Sequence, residues 1–210
     1  MELLALFFLS FGVGFSGAMM PGPVLAVSIA ETPRTGWKTG PIISIGHAIA
    51  EIAVVIILSL GLVTISEDSI IPSIIGIVGG VALILMGIMM GIDIIRGGLS
   101  YETTEKASSH KLITKGITTS LSNPYWFVWW VTTGLAFLTK SLKFGFIGPV
   151  VFYFGHIMSD FVWYSLVTFI LWKGKKLIVG KGFKILILIC AAFLLYLGSW
   201  FIYDGMHGLF

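Results

Sequence analysis

Six long stretches of the sequence carry almost no charged side chains, and their length restricts what the chain can fold into. They cover residues 3–30, 39–66, 69–92, 116–139, 144–172 and 185–203. About 20 apolar residues in a helix are enough to cross the hydrocarbon core of a bilayer. Only 11% of the residues are Asp, Glu, Lys or Arg, against about 25% in soluble domains, so a soluble fold would lack the charge to cover its surface. The sequence therefore predicts an all-α integral membrane protein with six transmembrane helices.

The basic residues between these stretches predict the orientation. Eleven of the 13 Lys and Arg residues fall in the loops after the first, third and fifth stretches, and two fall on the other side. The eleven are Arg34, Lys38, Arg96, Lys106, Lys111, Lys115, Lys173, Lys175, Lys176, Lys181 and Lys184, and the two are Lys140 and Lys143. Because cytoplasmic loops carry an excess of Lys and Arg, we expect a multi-pass protein of the cytoplasmic (plasma) membrane with both termini outside.

The order of motifs indicates two related halves. A Gly-His-x-x-x-acid motif occupies residues 46–51 and again residues 155–160, each time in the second span of a half. The sequence predicts a first three-helix repeat at 1–95, a cytoplasmic linker at 96–115 and a second three-helix repeat at 116–210. A three-span unit repeated in tandem crosses the membrane upside down relative to its copy, and inverted repeats of this kind are typical of transporters.

The two motifs place ionisable groups at mid-depth in the bilayer. His47 and Glu51 share a helix face because they are four residues apart, as do His156 and Asp160. A charged group at the bilayer centre costs at least about 2.5 kcal/mol, so it should face the bundle interior or a wet cavity. We expect these residues to bind a polar substrate and to carry protons. Two alternatives stay open: each pair only neutralises itself and packs helices, or the four side chains bind a divalent metal ion.

Proline breaks precede both motifs, in the first span of each half. Pro21, Gly22 and Pro23 form one break, and Asn123 and Pro124 form the other. A proline inside a helix removes a backbone hydrogen bond, and unpaired backbone groups at membrane depth must line a cavity or contact protein. We expect both first helices to be broken and both breaks to contribute to the substrate pathway. The alternative is a pair of simple helix kinks.

Aromatic and small residues give less specific signals. Tyr125, Trp129 and Trp130 follow the second break and are candidates for an aromatic lining that could hold an ammonium group, although lipid-facing or core packing is the preferred interpretation. Glycines four residues apart in the third span, at 76 and 80 and at 87 and 91, indicate either close internal packing or a homodimer face. The single cysteine, Cys190, excludes an intrachain disulfide.

The break at residues 20–23, the following Gly36, Gly40 and Gly46, the acid in span two and the break at 123–124 together resemble the LysE-type family of amino-acid exporters. The resemblance implies a secondary transporter that exports amino acids or similar small solutes, with proton antiport as the driving reaction. It implies that the pathway residues are Pro21, Gly22, Pro23, Glu51, Asn123 and Pro124. Many members have a lysine where this chain has Tyr125, which leaves the charge of the substrate open.

The same resemblance frames the alternatives and the partners. The wider superfamily contains cadmium and nickel exporters, so the alternative function is divalent metal export with His47, Glu51, His156 and Asp160 as ligands. We expect no cofactor and no nucleic-acid partner, and the partners are a small-molecule substrate, protons and the lipid bilayer. No nucleophile motif surrounds Ser16 or Ser159, so we do not expect an enzyme.

Overall fold

The computed structural model describes residues 2–20, 22–60, 71–96, 107–174 and 181–207. Within these ranges every regular element is a helix. The helices are α1 (Glu2–Ala18), α2 (Pro23–Thr35), α3 (Thr39–Ser59), α4 (Ile71–Ile95), α5 (Ser109–Leu121), α6 (Pro124–Trp129), α7 (Leu135–Ser141), α8 (Ile147–Lys173) and α9 (Lys181–His207). A π-helical stretch at Trp130–Gly134 joins α6 to α7, and a short 3-10 helix at Leu142–Phe144 follows α7.

Three helices of the described part are long and apolar enough to cross a membrane. They are Thr39–Ser59, Ile147–Lys173 and the segment Ile187–His207 of α9, and the pair α1 and α2 makes a fourth if it is counted as one bent span. The chain is thus an all-helical membrane protein. The count of six spans and the inverted repeat stay predictions, as do the boundaries at 95 and 115. Residues 61–70, which end the predicted second span, and residues 97–106 of the predicted linker lie outside the described residues.

Prolines begin two of the helices rather than interrupting them. Pro23 stands in the first turn of α2 and Pro124 in the first turn of α6, where the missing N–H would have no partner in any case. The axes of α1 and α2 differ by 78° at the first break. The predicted broken first helices therefore become the pairs α1/α2 and α5/α6.

Helix α5 begins inside the predicted linker. Its first residue is Ser109, and the side chain of Ser108 caps it by accepting a hydrogen bond from the Lys111 amide at 3.4 Å. Ser, Thr and Lys give α5 a polar outer surface, so the count of apolar residues underestimates its length. The helix carries polar side chains as far as the break at Asn123.

Helices α3 and α8 lie at the centre of the fold. They pack against each other, α5 packs on α3, and α1 packs on α8. The glycine that precedes each histidine explains this close packing. An added Cβ at Gly46 would collide with the Ile113 carbonyl of α5, and one at Gly155 would collide with the Phe7 carbonyl of α1. The Gly-His dipeptides therefore bring a neighbouring helix against each histidine-bearing helix.

Helices α4 and α9 form a second packed layer. A Cβ at Gly80 would lie 2.6 Å from the Gly198 carbonyl oxygen, and one at Gly87 would lie 2.9 Å from the Ala191 carbonyl oxygen. Gly80 and Gly87 thus serve internal packing in this chain. Leu83 and Leu194 are fully buried in the same layer, against one side of α2.

Candidate functional site

The two histidines and the two acids of the repeated motif meet between α3 and α8. His47 Nε2 lies 3.2 Å from Glu51 Oε1, and His156 Nε2 lies 3.1 Å from the same oxygen. The two nitrogens lie 3.6 and 3.8 Å from the carboxylate oxygens of Asp160. Each of the four residues is at most 5% exposed. Each histidine therefore contacts the acid of its own helix and the acid of the other, and we call these four side chains the central tetrad.

Two tryptophans of α6 and the π-helical stretch hold Glu51. The indole N–H groups of Trp126 and Trp130 both donate to Glu51 Oε1 at 3.1 Å. Glu51 Oε1 therefore contacts four nitrogen atoms, two from histidine rings and two from indole rings. Trp126 and Trp130 are four residues apart, so the helix turns both indoles to the same side.

Ser120 of α5 fixes the other nitrogen of His47. Its hydroxyl oxygen lies 2.6 Å from His47 Nδ1, and the hydroxyl donates to the Gly116 carbonyl at 2.6 Å. A hydroxyl has one proton to donate, so His47 Nδ1–H donates to Ser120. An imidazolium at His47 satisfies all of these contacts, because both ring nitrogens then donate.

A small cavity of about 40 Å³ adjoins the tetrad. Such a volume has room for a few water molecules. Both helix breaks reach it, Gly22 from the first and Asn123 from the second, and a Cβ at Gly22 would lie 3.4 Å from Asn123 Nδ2. The lining residues are Gly17, Ala18, Met20, Gly22, Val24, His47, Glu51, Asn123, Tyr125, Trp126, Trp129, His156, Asp160, Tyr164 and Leu197. The two breaks and the four ionisable groups therefore surround one space.

The N-terminal ends of two helices also reach this cavity. Gly22 precedes α2 and provides no side-chain cap, whereas the Asn123 side chain accepts a hydrogen bond from the Tyr125 amide at 3.1 Å. The first amides of a helix lack an internal partner and carry partial positive charge. The start of α2 therefore presents a positive helix end to this cavity.

Some of the residues predicted from the sequence line the cavity, and others lie behind it or elsewhere. Tyr125 and Trp129 line the cavity, and the Trp129 ring stacks on His156 with the ring centroids 4.5 Å apart. Trp130 is 1% exposed and contacts the site through Glu51. Pro124 packs beside Gly79, and Pro23 is buried at the start of α2. Pro21 lies outside the described residues.

Sequence reasoning missed several residues that contact or line the site, among them Ser120, Trp126 and Tyr164. Ser120 belongs to a polar string at residues 118–122, and Trp126 stands one helical turn before Trp130. These spacings indicate a shared helix face but not what that face contacts, because the partners are more than 70 residues away.

The tetrad also has the donor set of a metal site. Ligand atoms of His47, Glu51 and Asp160 all lie within 4.8 Å of one another. Nitrogen and carboxylate ligands of this kind suit several divalent transition metals. The geometry therefore supports a metal as an alternative substrate.

The comparisons with known proteins identify the family. A family model described as LysE type translocator matches residues 15–205. No curated protein matches the chain significantly, and no solved structure does. The matched range includes both helix breaks and the whole central tetrad. The chain belongs to the LysE type translocator family, the members of which are membrane exporters of amino acids or related solutes.

Proposed function

We propose that the chain exports a zwitterionic amino acid from the cytoplasm in exchange for protons, and that the central tetrad and the two helix breaks form its substrate site. The observation that carries the proposal is the single cavity that both breaks and all four ionisable groups line. The amides at the start of α2 match a substrate carboxylate, and Glu51 or Asp160 matches its ammonium group. A zwitterion fits both ends of this site better than a bare cation does.

Proton exchange follows from charge balance in the tetrad. Two imidazolium groups and two carboxylates sum to zero, which suits a buried site because an uncompensated charge there is costly. When the ammonium group of the zwitterion contacts Glu51 or Asp160, it displaces an imidazolium from that carboxylate, and the imidazolium, now without its counter-ion, releases its proton. Substrate and protons therefore compete for one site, which is the basis of antiport.

The packing of the halves supports alternating access by an inverted repeat. In the predicted repeat, α1 corresponds to α5 and α3 corresponds to α8. The contact of α1 with α8 therefore corresponds to the contact of α5 with α3, and both contacts occur. Together with the distribution of basic residues, this symmetry favours a plasma-membrane protein with its termini outside and its central site accessible from each side in turn.

Transport by purified protein in liposomes tests this function. With an imposed pH gradient, the protein should move amino acids against their concentration gradient. The luminal pH should change in proportion to the amount of amino acid moved. Amino-acid movement that ignores the pH gradient would reject antiport.

Metal export is the second candidate function, because three tetrad side chains converge within 4.8 Å. The same liposomes loaded with Ni²⁺, Cd²⁺ or Zn²⁺ separate the two functions. Proton-coupled movement of a metal ion, with no movement of any amino acid, would replace the first proposal by the second.

A further inference from the structure

An ion pair joins the two helices that lead away from the cavity on one side of the fold. Lys115 of α5 donates from its Nζ to Glu31 Oε1 of α2. Glu31 lies eight residues beyond Pro23, which corresponds to about 12 Å along the helix. Lys115 lies six residues before α5 ends at Leu121, which corresponds to about 9 Å. The pair therefore stands about two helical turns from the cavity on both helices.

The pair is unequally buried. The Glu31 side chain is 6% exposed and the Lys115 side chain is 44% exposed. Glu31 Oε2 has no hydrogen-bond partner among the residues that the structure describes. Glu31 is thus an almost fully buried anion that depends on a half-exposed cation. A carboxylate in this position gains most when it reaches water or a second cation.

An apolar cluster reinforces the same interface. Val24 of α2, Ile43 of α3, Leu112 of α5 and Tyr164 of α8 pack together, and each is at most 4% exposed. Val24 and Tyr164 also line the cavity. The cluster and the ion pair together hold α2 against α5 on this side of the cavity.

If the two predicted halves are exchanged, the α2–α5 interface corresponds to the interface between α1 and α7. The α1–α7 interface is built differently. There a groove of about 550 Å³ is lined by Glu2, Leu6 and Leu9 of α1 and by Phe137 and Lys140 of α7. Lys140 and the nearby Lys143 lie over the rings of Phe137 and Phe144. The described part of the chain thus has an ion pair at one of these interfaces and an open groove at the other.

We propose that Glu31 and Lys115 form the barrier that closes the cavity on the α2–α5 side, and that the pair must separate for a substrate to reach the site from that side. The proposal rests on the proposed transport function. The charges also suit the substrate. An arriving ammonium group can replace the Lys115 ammonium on Glu31, so the substrate itself can separate the ion pair. The α2–α5 side is the one that carries the basic loops.

Thiol labelling of the cavity tests the barrier. In a Cys190→Ala background, Ala18→Cys places a thiol on the cavity wall, where Ala18 is 2% exposed. Lys115→Gln leaves Glu31 buried without its cation, so α2 and α5 should separate. We expect a membrane-impermeant thiol reagent applied to the Lys115 side to label the cysteine about tenfold faster, equivalent to about 1.4 kcal/mol. Glu31→Gln should have a smaller effect, because Lys115 already contacts solvent.

Two further variants decide between a barrier and a general loss of structure. The exchange Glu31→Lys with Lys115→Glu restores the pair and should return labelling toward the starting rate. Lys111→Gln removes an exposed cation one turn away on α5 and should leave labelling unchanged. Labelling that is unaltered by Lys115→Gln, or equally fast in the exchanged pair, would overturn the barrier. Proton-coupled transport in liposomes is measured separately. The labelling results therefore test the barrier, and the transport results test the proposed function.

Discussion

The two halves supply one acid each to the central tetrad, but the surroundings of the two acids differ. Glu51 Oε1 has four nitrogen atoms within 3.2 Å, two of them indole N–H donors. The same two histidine nitrogens lie farther from the carboxylate oxygens of Asp160, at 3.6 and 3.8 Å. Donors hold a buried carboxylate in its charged form. We therefore expect Glu51 to be a fixed anion that organises the site and Asp160 to be the acid that changes partners.

The sequence explains why the second half donates two indole N–H groups to the acid of the first half, whereas the first half has no such donors at the corresponding positions. Trp126 and Trp130 stand two and six residues after Pro124. The corresponding positions after Pro23 are Leu25 and Ile29, which have no side-chain N–H. Both pack into apolar clusters instead. Two side chains at corresponding positions thus account for the different surroundings of the two acids.

The largest expected effect is the loss of stability in Glu51→Gln. The substitution leaves two histidines with one distant carboxylate and places an amide where four donors converge. Removing one partner of a buried ionic group costs about 3–5 kcal/mol, and we expect that loss in the free energy of unfolding, measured by thermal or denaturant unfolding in detergent. Asp160→Asn should cost clearly less. Equal losses in the two variants would contradict the distinction between the acids.

The next effect is on transport in Asp160→Asn. If Asp160 is the exchanging acid, an amide at this position cannot take up or release the coupled proton. The rate of pH-driven transport in liposomes should fall about 100-fold or more, the range seen when a proton-transferring group is removed. Asp204→Asn is the matched control, because Asp204 is exposed near the end of α9. Asp160→Asn protein that still transports at the rate of Asp204→Asn protein would exclude Asp160 from proton coupling.

Local patterns in the sequence predicted the parts of the fold that depend on neighbours along the chain. The spacing of four residues places each histidine with its own acid, and the prolines mark both helix breaks, because both effects act within one helical turn. Membership of the LysE type family is confirmed. The number of spans and the roles of the site residues stay predictions.

Contacts between distant helices could not be read from those patterns. His156 contacts Glu51 across 105 residues of sequence, and Lys115 contacts Glu31 across 84. Glu31 directly follows an uncharged run and reads as a span boundary, yet α2 continues through it to Thr35 and buries it. Only the packing of α2 on α5 reveals its partner. The different surroundings of the two acids could not be predicted for the same reason, since the shared Gly-His-x-x-x-acid pattern carries no information about which helix faces it.

The smallest expected effect tests the comparison of the two acids most directly. It removes an indole N–H donor to Glu51 and keeps the aromatic ring in place. Trp126→Phe retains an aromatic ring but deletes one of the two indole donors to Glu51. A hydrogen bond to a charged group contributes about 1.5–3 kcal/mol, and Trp130 still donates, so we expect a loss near 1.5 kcal/mol in the free energy of unfolding. Trp200→Phe, on the exposed surface of α9 where Trp200 is 52% exposed, should cost almost nothing. Trp126→Phe should also narrow the stability gap between Glu51→Gln and Asp160→Asn when it is combined with each, because Glu51 then has one donor fewer. If the gap stays the same, the indoles only pack around Glu51, and the two acids differ for a reason other than their donors.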